Sequence, residues 1–193
     1  MDSSKILDPD TWVEEHGDAL YRYAFFRIHS TQVAEDLVQE TFLAALKARD
    51  SFAGRSSERT WLFGILKHKI IDHIRKASRE RSEDIDLNLA ASGESFDDKG
   101  GWKSGPAKWI TDPGLLYQQQ EFWEMLNRCL AELPPRLHQA FTLRELDGQS
   151  MEEICKILQV SSTNGGVMLH RARVRLRECL EQNWFDKEEG EES

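Results

Sequence analysis

The sequence predicts an all-α protein, two small helical domains joined by a flexible acidic linker. Three observations carry that reading. Apolar residues recur at spacings of three and four through each patterned segment, no segment alternates convincingly as a strand, and a glycine-rich acidic stretch separates two patterned blocks. The blocks run over 10–81 and 115–185, and the linker over 82–114.

In the first block, Leu20, Tyr21, Tyr23, Phe25 and Phe26 mark an aromatic-rich helix from Asp18 to His29. Ser30 or Thr31 caps a second helix, where Val33, Leu37, Val38, Thr41, Phe42, Ala45 and Leu46 follow a 3.6-residue period. Residues 50–57 are rich in Ser, Gly and Arg and read as a loop. A third helix, 58–77, carries Leu62, Ile65, Leu66, Ile70, Ile71 and Ile74.

The linker holds Gly93, Gly100, Gly101, Gly105, Pro106, Pro113 and Gly114, a composition that does not build a packed core. Trp102 and Trp109 stand out there as large apolar groups suited to dock on a neighbouring domain or partner. The second block opens with an amphipathic helix bearing Phe122, Met125, Leu126, Cys129, Leu130 and Leu133. Pro134 and Pro135 punctuate it, and a helix over 137–146 follows before Gly148. Ser150 is the expected N-cap of the next helix, with Glu152 and Glu153 in its first turn and Ile154, Ile157 and Leu158 on its apolar face. Residues 160–164 break the pattern. A last helix then carries Val167, Leu169, Ala172 and Leu176, interleaved with Arg171, Arg173, Arg175 and Arg177. A tight helix pair whose second member is arginine-rich is a DNA-reading arrangement, to be weighed against a solvated basic face on an ordinary helical hairpin.

Charge bears on that choice. The net charge of −9 argues against a nucleic-acid binder until its distribution is read. Residues 52–81 hold eight Lys and Arg against three acids, whereas 82–121 hold eight acids against three Lys. Basic surfaces are thus separated by an acidic connector. No apolar run approaches the ~18 residues of a membrane span, and MDSSKILDPD lacks the order of a signal peptide, so a cytoplasmic protein without membrane insertion is expected. Cys129, Cys155 and Cys179 are widely spaced and odd in number, which argues against a disulfide scaffold or zinc ribbon. They read as buried small residues, Cys155 where two helices approach closely. Neither a metal nor any other cofactor is expected, and His68 and His73 have no third ligand nearby.

In this order the two blocks resemble the sigma-70 family of bacterial RNA polymerase sigma factors, most of all the compact extracytoplasmic-function (ECF) group that keeps conserved regions 2 and 4. Three segments carry the resemblance. The run Asp36-Leu37-Val38-Gln39-Glu40-Thr41-Phe42 is similar to the region 2 helix that grips the β′ clamp of the polymerase, which implies a polymerase-binding role for Asp36, Leu37, Val38, Gln39, Glu40 and Phe42. Residues 52–81 resemble the part of region 2 that binds and opens the −10 element. That implies DNA contacts from Arg55, Arg59, Trp61, Lys67, His68, Lys69, Asp72, His73, Arg75 and Lys76, with cations for phosphates and a surface for unstacked bases. For Trp61 a core position and a stacking platform both remain open.

The third segment, Leu133-Pro134-Pro135-Arg136 through the arginine-rich helix, resembles region 4, which reads the −35 element. It implies contacts from Ser162, Thr163, Asn164, Gly166, Val167, His170 and Arg171, with Arg173, Arg175 and Arg177 reaching phosphates. The Gly165-Gly166 pair departs from the family, which usually places an apolar residue and then a larger side chain there. Either the helix starts later, near Val167, with backbone approaching phosphate, or −35 reading is weakened; weakened or backbone-dominated readout is the expectation. The resemblance further implies core RNA polymerase (β′ clamp and β flap), promoter DNA and an anti-sigma factor as partners, and no catalytic centre of the chain's own. The competing function is a stand-alone helix-turn-helix regulator with 10–81 as a sensor or dimerisation domain.

Overall fold

A computed structural model of the chain describes residues 7–80 and 120–185. The linker, Trp102, Trp109, the expected start of the second block at Leu115 and the acidic tail lie outside the described residues. The chain divides into two units at Glu80 and Arg81. Each unit is helical, and no strand occurs among the described residues.

The first unit packs three helices, α1 (Trp12–Ile28), α2 (Thr31–Ala48) and α3 (Glu58–Glu80), with a 3₁₀ turn at Arg49–Ser51. Helix α1 begins six residues before the expected Asp18. Its start is anchored by Trp12, which is fully buried, and Glu14 and Glu15 occupy the first turn. Gly17, a poor helix former, interrupts the pattern that would have revealed this start. His29 closes the helix in the left-handed conformation (φ 51°), its amide donating to the Phe25 carbonyl at 2.8 Å. Ser30 then caps α2, its hydroxyl accepting from the Val33 amide at 3.5 Å. One left-handed residue and one extended residue therefore turn the chain between helices.

Helix α3 buries Leu62, Leu66, Ile70, Ile74 and Ser78, one residue in four, while Ile65 and Ile71 are only half-buried on its flanks. Against it lie Leu37, Val38 and Thr41 of α2 and Leu20 of α1, with Ala24, Ala34 and Ala45 fully buried where helices approach. The buried Thr41 hydroxyl donates to the Leu37 carbonyl at 2.7 Å, so it carries no desolvation penalty. An aromatic cluster joins the helix starts to the loop. Trp12 stacks on Phe42 (6.4 Å between centroids) and meets the edge of Trp61 (6.1 Å), which contacts Phe52 (4.9 Å).

The second unit comprises α4 (Gln120–Ala131), α5 (Pro135–Phe141), α6 (Met151–Leu158) and α7 (Ser162–Leu180). Pro135 sits at the first position of α5, where its missing amide costs nothing. The helix expected over 137–146 widens into a π turn at Thr142–Leu146, and the Thr142 hydroxyl donates back to the His138 carbonyl at 3.0 Å. A second π turn, Glu181–Phe185, follows α7. Ser150 caps α6 as expected, in a reciprocal box. Its hydroxyl accepts from the Glu153 amide (3.2 Å), and the Glu153 carboxylate accepts from the Ser150 amide (3.0 Å). At the other end of α6, the Arg136 guanidinium donates to the Leu158 carbonyl at 2.9 Å.

The cysteines depart from the sequence expectation. Cys129 of α4 and Cys179 of α7 form a disulfide across 50 residues, with Cα atoms 5.8 Å apart, while Cys155 is free and half-buried. Counting cysteines tests for a scaffold stapled by several bridges. It does not register two residues that separate helices bring face to face.

Burial pushes the His29 imidazole below its ordinary value of 6.5. A depressed histidine contributes stability that is present above the unfolded value and lost as pH falls through the folded value. Chemical denaturation at pH 7 and pH 5 is therefore expected to show the first unit losing stability on acidification. His29→Asn, which tolerates the left-handed backbone, is expected to flatten that dependence. An unchanged pH slope in the variant would exclude His29 as its source.

Candidate nucleic-acid interface

Ser161 caps α7, its hydroxyl accepting from the Asn164 amide at 3.2 Å. The helix therefore starts at Ser162, and a start near Val167 is excluded. Both glycines lie within the helix, in different settings. Gly165 is buried, and a Cβ built there would stand 2.7 Å from Cys155 Sγ and 3.3 Å from Met151 Sδ. The space that an apolar residue at 165 would fill is thus taken by two sulfur side chains of α6. The seat of α7 is present, supplied from the opposite side. Gly166 is exposed, with nothing within 4 Å of the point where a Cβ would stand, so it leaves bare backbone on the outer face.

The two halves of α7 are covered differently. Beyond its middle the helix buries Ala172, Val174 and Leu176 against α4 and α5, whereas its first turns bury Gly165 and Leu169. Ser162, Thr163, Gly166 and Val167 face outward, Val167 being 40% exposed, and Asn164, His170 and Arg171 are half-exposed beside them. The later arginines are engaged elsewhere. Arg173 pairs with Glu145 (Nε to Oε1 3.2 Å), and Arg177 with Glu181 at 2.7 Å. Arg175 lines a cleft beside the disulfide. A phosphate reaching Arg173 or Arg177 would therefore compete with a carboxylate already paired there.

In the first unit, the Asp36–Phe42 segment splits by helix face. Asp36, Gln39 and Glu40 are exposed, Leu37 and Val38 are buried, and Phe42 is half-buried against Trp12. Leu43 and Leu46 extend the exposed face, at 57% and 40% exposure. Periodicity alone assigns Leu46 to the core and leaves Leu43 without a role. Their spacing of four and seven from Gln39 is the signal that places them on this face.

On α3, Arg59, His68, Asp72 and Lys76 are exposed, and Lys67, Lys69, His73 and Arg75 are half-exposed on either flank. Lys69 is paired with Glu40 of α2 at 2.9 Å, and Arg75 with Asp72 at 2.8 Å. Arg59 lies over the Phe63 ring at 5.6 Å. Arg55 is exposed in the loop, beside Gly54, whose φ of 66° suits glycine. Trp61 is half-buried in the aromatic cluster, between the two positions considered for it. Among the described residues no group of three His, Cys, Asp or Glu could hold a metal ion.

The sequence profile of Sigma-70 region 2 matches residues 12–80, and that of Sigma-70, region 4 matches residues 123–176. The chain belongs to the sigma-70 family. A "Probable RNA polymerase sigma factor" of Haemophilus influenzae is 37% identical over 160 residues, covering 82% of each chain. An "ECF RNA polymerase sigma-E factor" of Escherichia coli is 35% identical over 139 residues, 72% of this chain and 69% of that one. Among solved structures, a sigma factor from Bartonella quintana crystallised with its anti-sigma factor NepR aligns at 25% identity and a TM-score of 0.43, over 90% of this chain and 97% of that chain. As an ECF-type sigma factor, the protein directs transcription.

For this sigma factor the glycine pair yields a direct test. Alone, Gly165→Ala is expected to destabilise by about 1–2 kcal/mol, because overpacking against Cys155 outweighs the gain in helix propensity. In a Cys155→Ala background the same change is expected to stabilise by up to about 1 kcal/mol. Gly166→Ala, with open space around it, is expected to stabilise in either background. Denaturant titration of the four proteins in the cycle measures the coupling, and a value near zero would overturn the close packing at Gly165.

Proposed function

We propose that this sigma factor binds core RNA polymerase through α2, grips the −10 element with α3 and the preceding loop, and reads the −35 element with the first turns of α7. In this reading residues 10–81 are the region 2 domain, 82–114 the linker and 115–185 the region 4 domain. The observation that carries it is the uncovered face of α7, where Thr163, Gly166 and Val167 are flanked by Asn164, His170 and Arg171 on a helix seated firmly from behind.

The chemistry divides along that face. Val167 offers an apolar contact suited to a thymine methyl, Asn164 an amide suited to an adenine edge, and Arg171 a guanidinium for guanine or phosphate. Gly166 adds no side chain, so the backbone can approach the groove closely at that point. On α2, Asp36, Gln39 and Glu40 supply acceptors for a basic or polar partner, and Leu43 and Leu46 supply apolar area next to them. Leu37, Val38 and Phe42 support this face from the core side. On α3, the cations bind phosphates along the strand being opened, each neutralised phosphate contributing to the salt dependence of binding.

The β′ clamp and β flap of the polymerase, promoter DNA and an anti-sigma factor are the partners in this reading. Nucleotide transfer belongs to the polymerase, so the sigma factor contributes recognition and positioning and no catalytic group. Working on the chromosome places it in the cytoplasm.

Run-off transcription with purified core polymerase tests the whole reading; failure to initiate at any cognate promoter removes it. Within it, the double change Asp36→Ala and Gln39→Ala is expected to weaken polymerase binding about tenfold or more, leaving the affinity of the second unit for −35 duplex unchanged. Arg171→Ala is expected to do the reverse, costing about 1–3 kcal/mol of promoter affinity. Binding curves for polymerase and for duplex, measured separately on each variant, decide it, and equal losses on both would sink the division of roles.

A further inference from the structure

The disulfide between Cys129 and Cys179 joins α4 to the far end of the reading helix. The two cysteines differ in exposure. Cys129 is 1% exposed and Cys179 half-buried, and both line an open cleft of about 240 Å³. Arg175, Glu132, Glu178, Gln182 and Asn183 line that cleft around the bond. We propose that Cys129–Cys179 is a reversible thiol–disulfide modification site, taking small charged thiols of the glutathione class and governing how firmly α4 clamps the reading helix.

The cleft favours such a reactant for two reasons. It presents both signs of charge, Arg175 for a carboxylate or incoming thiolate and Glu132 and Glu178 for an ammonium group. Second, of the two cysteines that line it, Cys179 is the more exposed, so the first attack falls there. A small thiolate attacks Cys179 Sγ, forming a mixed disulfide and releasing Cys129 as the leaving thiolate, which takes up a proton. A second small thiolate attacks the reactant's own sulfur in that mixed disulfide and releases Cys179. The balance is two thiols oxidised to one small disulfide and one cystine reduced to two cysteines, with two electrons transferred. Oxidation is the same exchange run backwards by the small disulfide. That the protein meets a reducing thiol pool rests on the function proposed above, since disulfides are rare and usually transient in the compartment where polymerase works. The exchange chemistry itself does not rest on it.

The consequence is local. With the bond open, α4 is held to the remainder of the unit by its buried Leu130, by Leu133 just beyond its end, and by the Phe122 ring against Trp184 (5.7 Å). The α6 contact at Gly165 lies at the opposite end of α7 and stays in place. Reduction therefore loosens the clamp behind the reading helix while leaving its seat intact. Closing a loop of 50 residues restricts the unfolded chain substantially, so the two forms must differ in stability.

The test uses the whole 193-residue chain, equilibrated in buffers spanning reduced to oxidised glutathione, then denatured, alkylated and weighed by mass spectrometry. A single two-electron transition is expected within that range, from three alkylated cysteines to one. The Cys155→Ser variant is expected to retain it, from two to none. The reduced wild type is expected to melt on the order of 10 °C below the oxidised form in the second unit. Cys129→Ser is expected to match the reduced form, and should it fail to fold, the reduced wild type alone supplies the comparison. Three free thiols in excess oxidised glutathione, a bond that native protein keeps in excess reduced glutathione, or identical melting of the two forms would each overturn the proposal. None of these measurements involves polymerase or promoter, so their failure is distinct from failure of the transcription assay.

Discussion

In the proposed function, one helix of the second unit is both its spine and its reading surface. Helix α7 is packed by α4, α5 and α6, so nearly every element there depends on its position, yet part of it has to stay uncovered. The conflict is resolved along its length. The later turns are buried on two sides, through Val174 on one and Ala172 and Leu176 on the other, and the early turns are covered on one side only. Coverage from one side gives few contacts with which to hold a helix. The close approach at Gly165 compensates, because a backbone pressed against Cys155 and Met151 allows little sliding or rolling.

The first unit meets a similar conflict by another route. Helix α3 packs through a narrow stripe of one residue in four, which leaves the larger part of its circumference for charge. A wider apolar face would have buried Ile65 and Ile71 more deeply and left less room for Lys67, Lys69, His73 and Arg75. Narrow burial suffices because α1 and α2 bring alanines to the contact and an aromatic cluster locks the helix starts. The same economy explains how a chain of net charge −9 carries a basic face on α3: most of its acids lie in other segments.

Features set by local chemistry are legible in the sequence. The caps at Ser30 and Ser150 depend on residues within one turn, and both stand where the sequence puts them. The helical blocks and the split of α2 into polar and apolar faces follow from periodicity. What fails to show depends on residues distant along the chain. Gly165 reads as a defect because Met151 and Cys155, which make it a fit, belong to another helix. Arg173 pairs with Glu145, 28 residues earlier on another element, which its place in the arginine row does not reveal. The bond between Cys129 and Cys179 requires knowing that α4 faces α7. Leu46 obeys the core period and is exposed nonetheless, since no helix of this unit covers that position.

The bridge between Glu40 and Lys69 has a thermodynamic consequence for assembly. Its carboxylate belongs to the face assigned to polymerase and its ammonium to the face assigned to DNA. A partner that takes Glu40 releases a cation, and a phosphate that takes Lys69 releases an acceptor. Each ligand then favours the other, and linkage requires the two effects to be equal in size. A pair this exposed contributes at most about 1 kcal/mol, which caps the mutual enhancement at about fivefold. In the proposed assembly such a bridge would act as a modest latch, since Glu40 and Lys69 would each be released as the other is engaged.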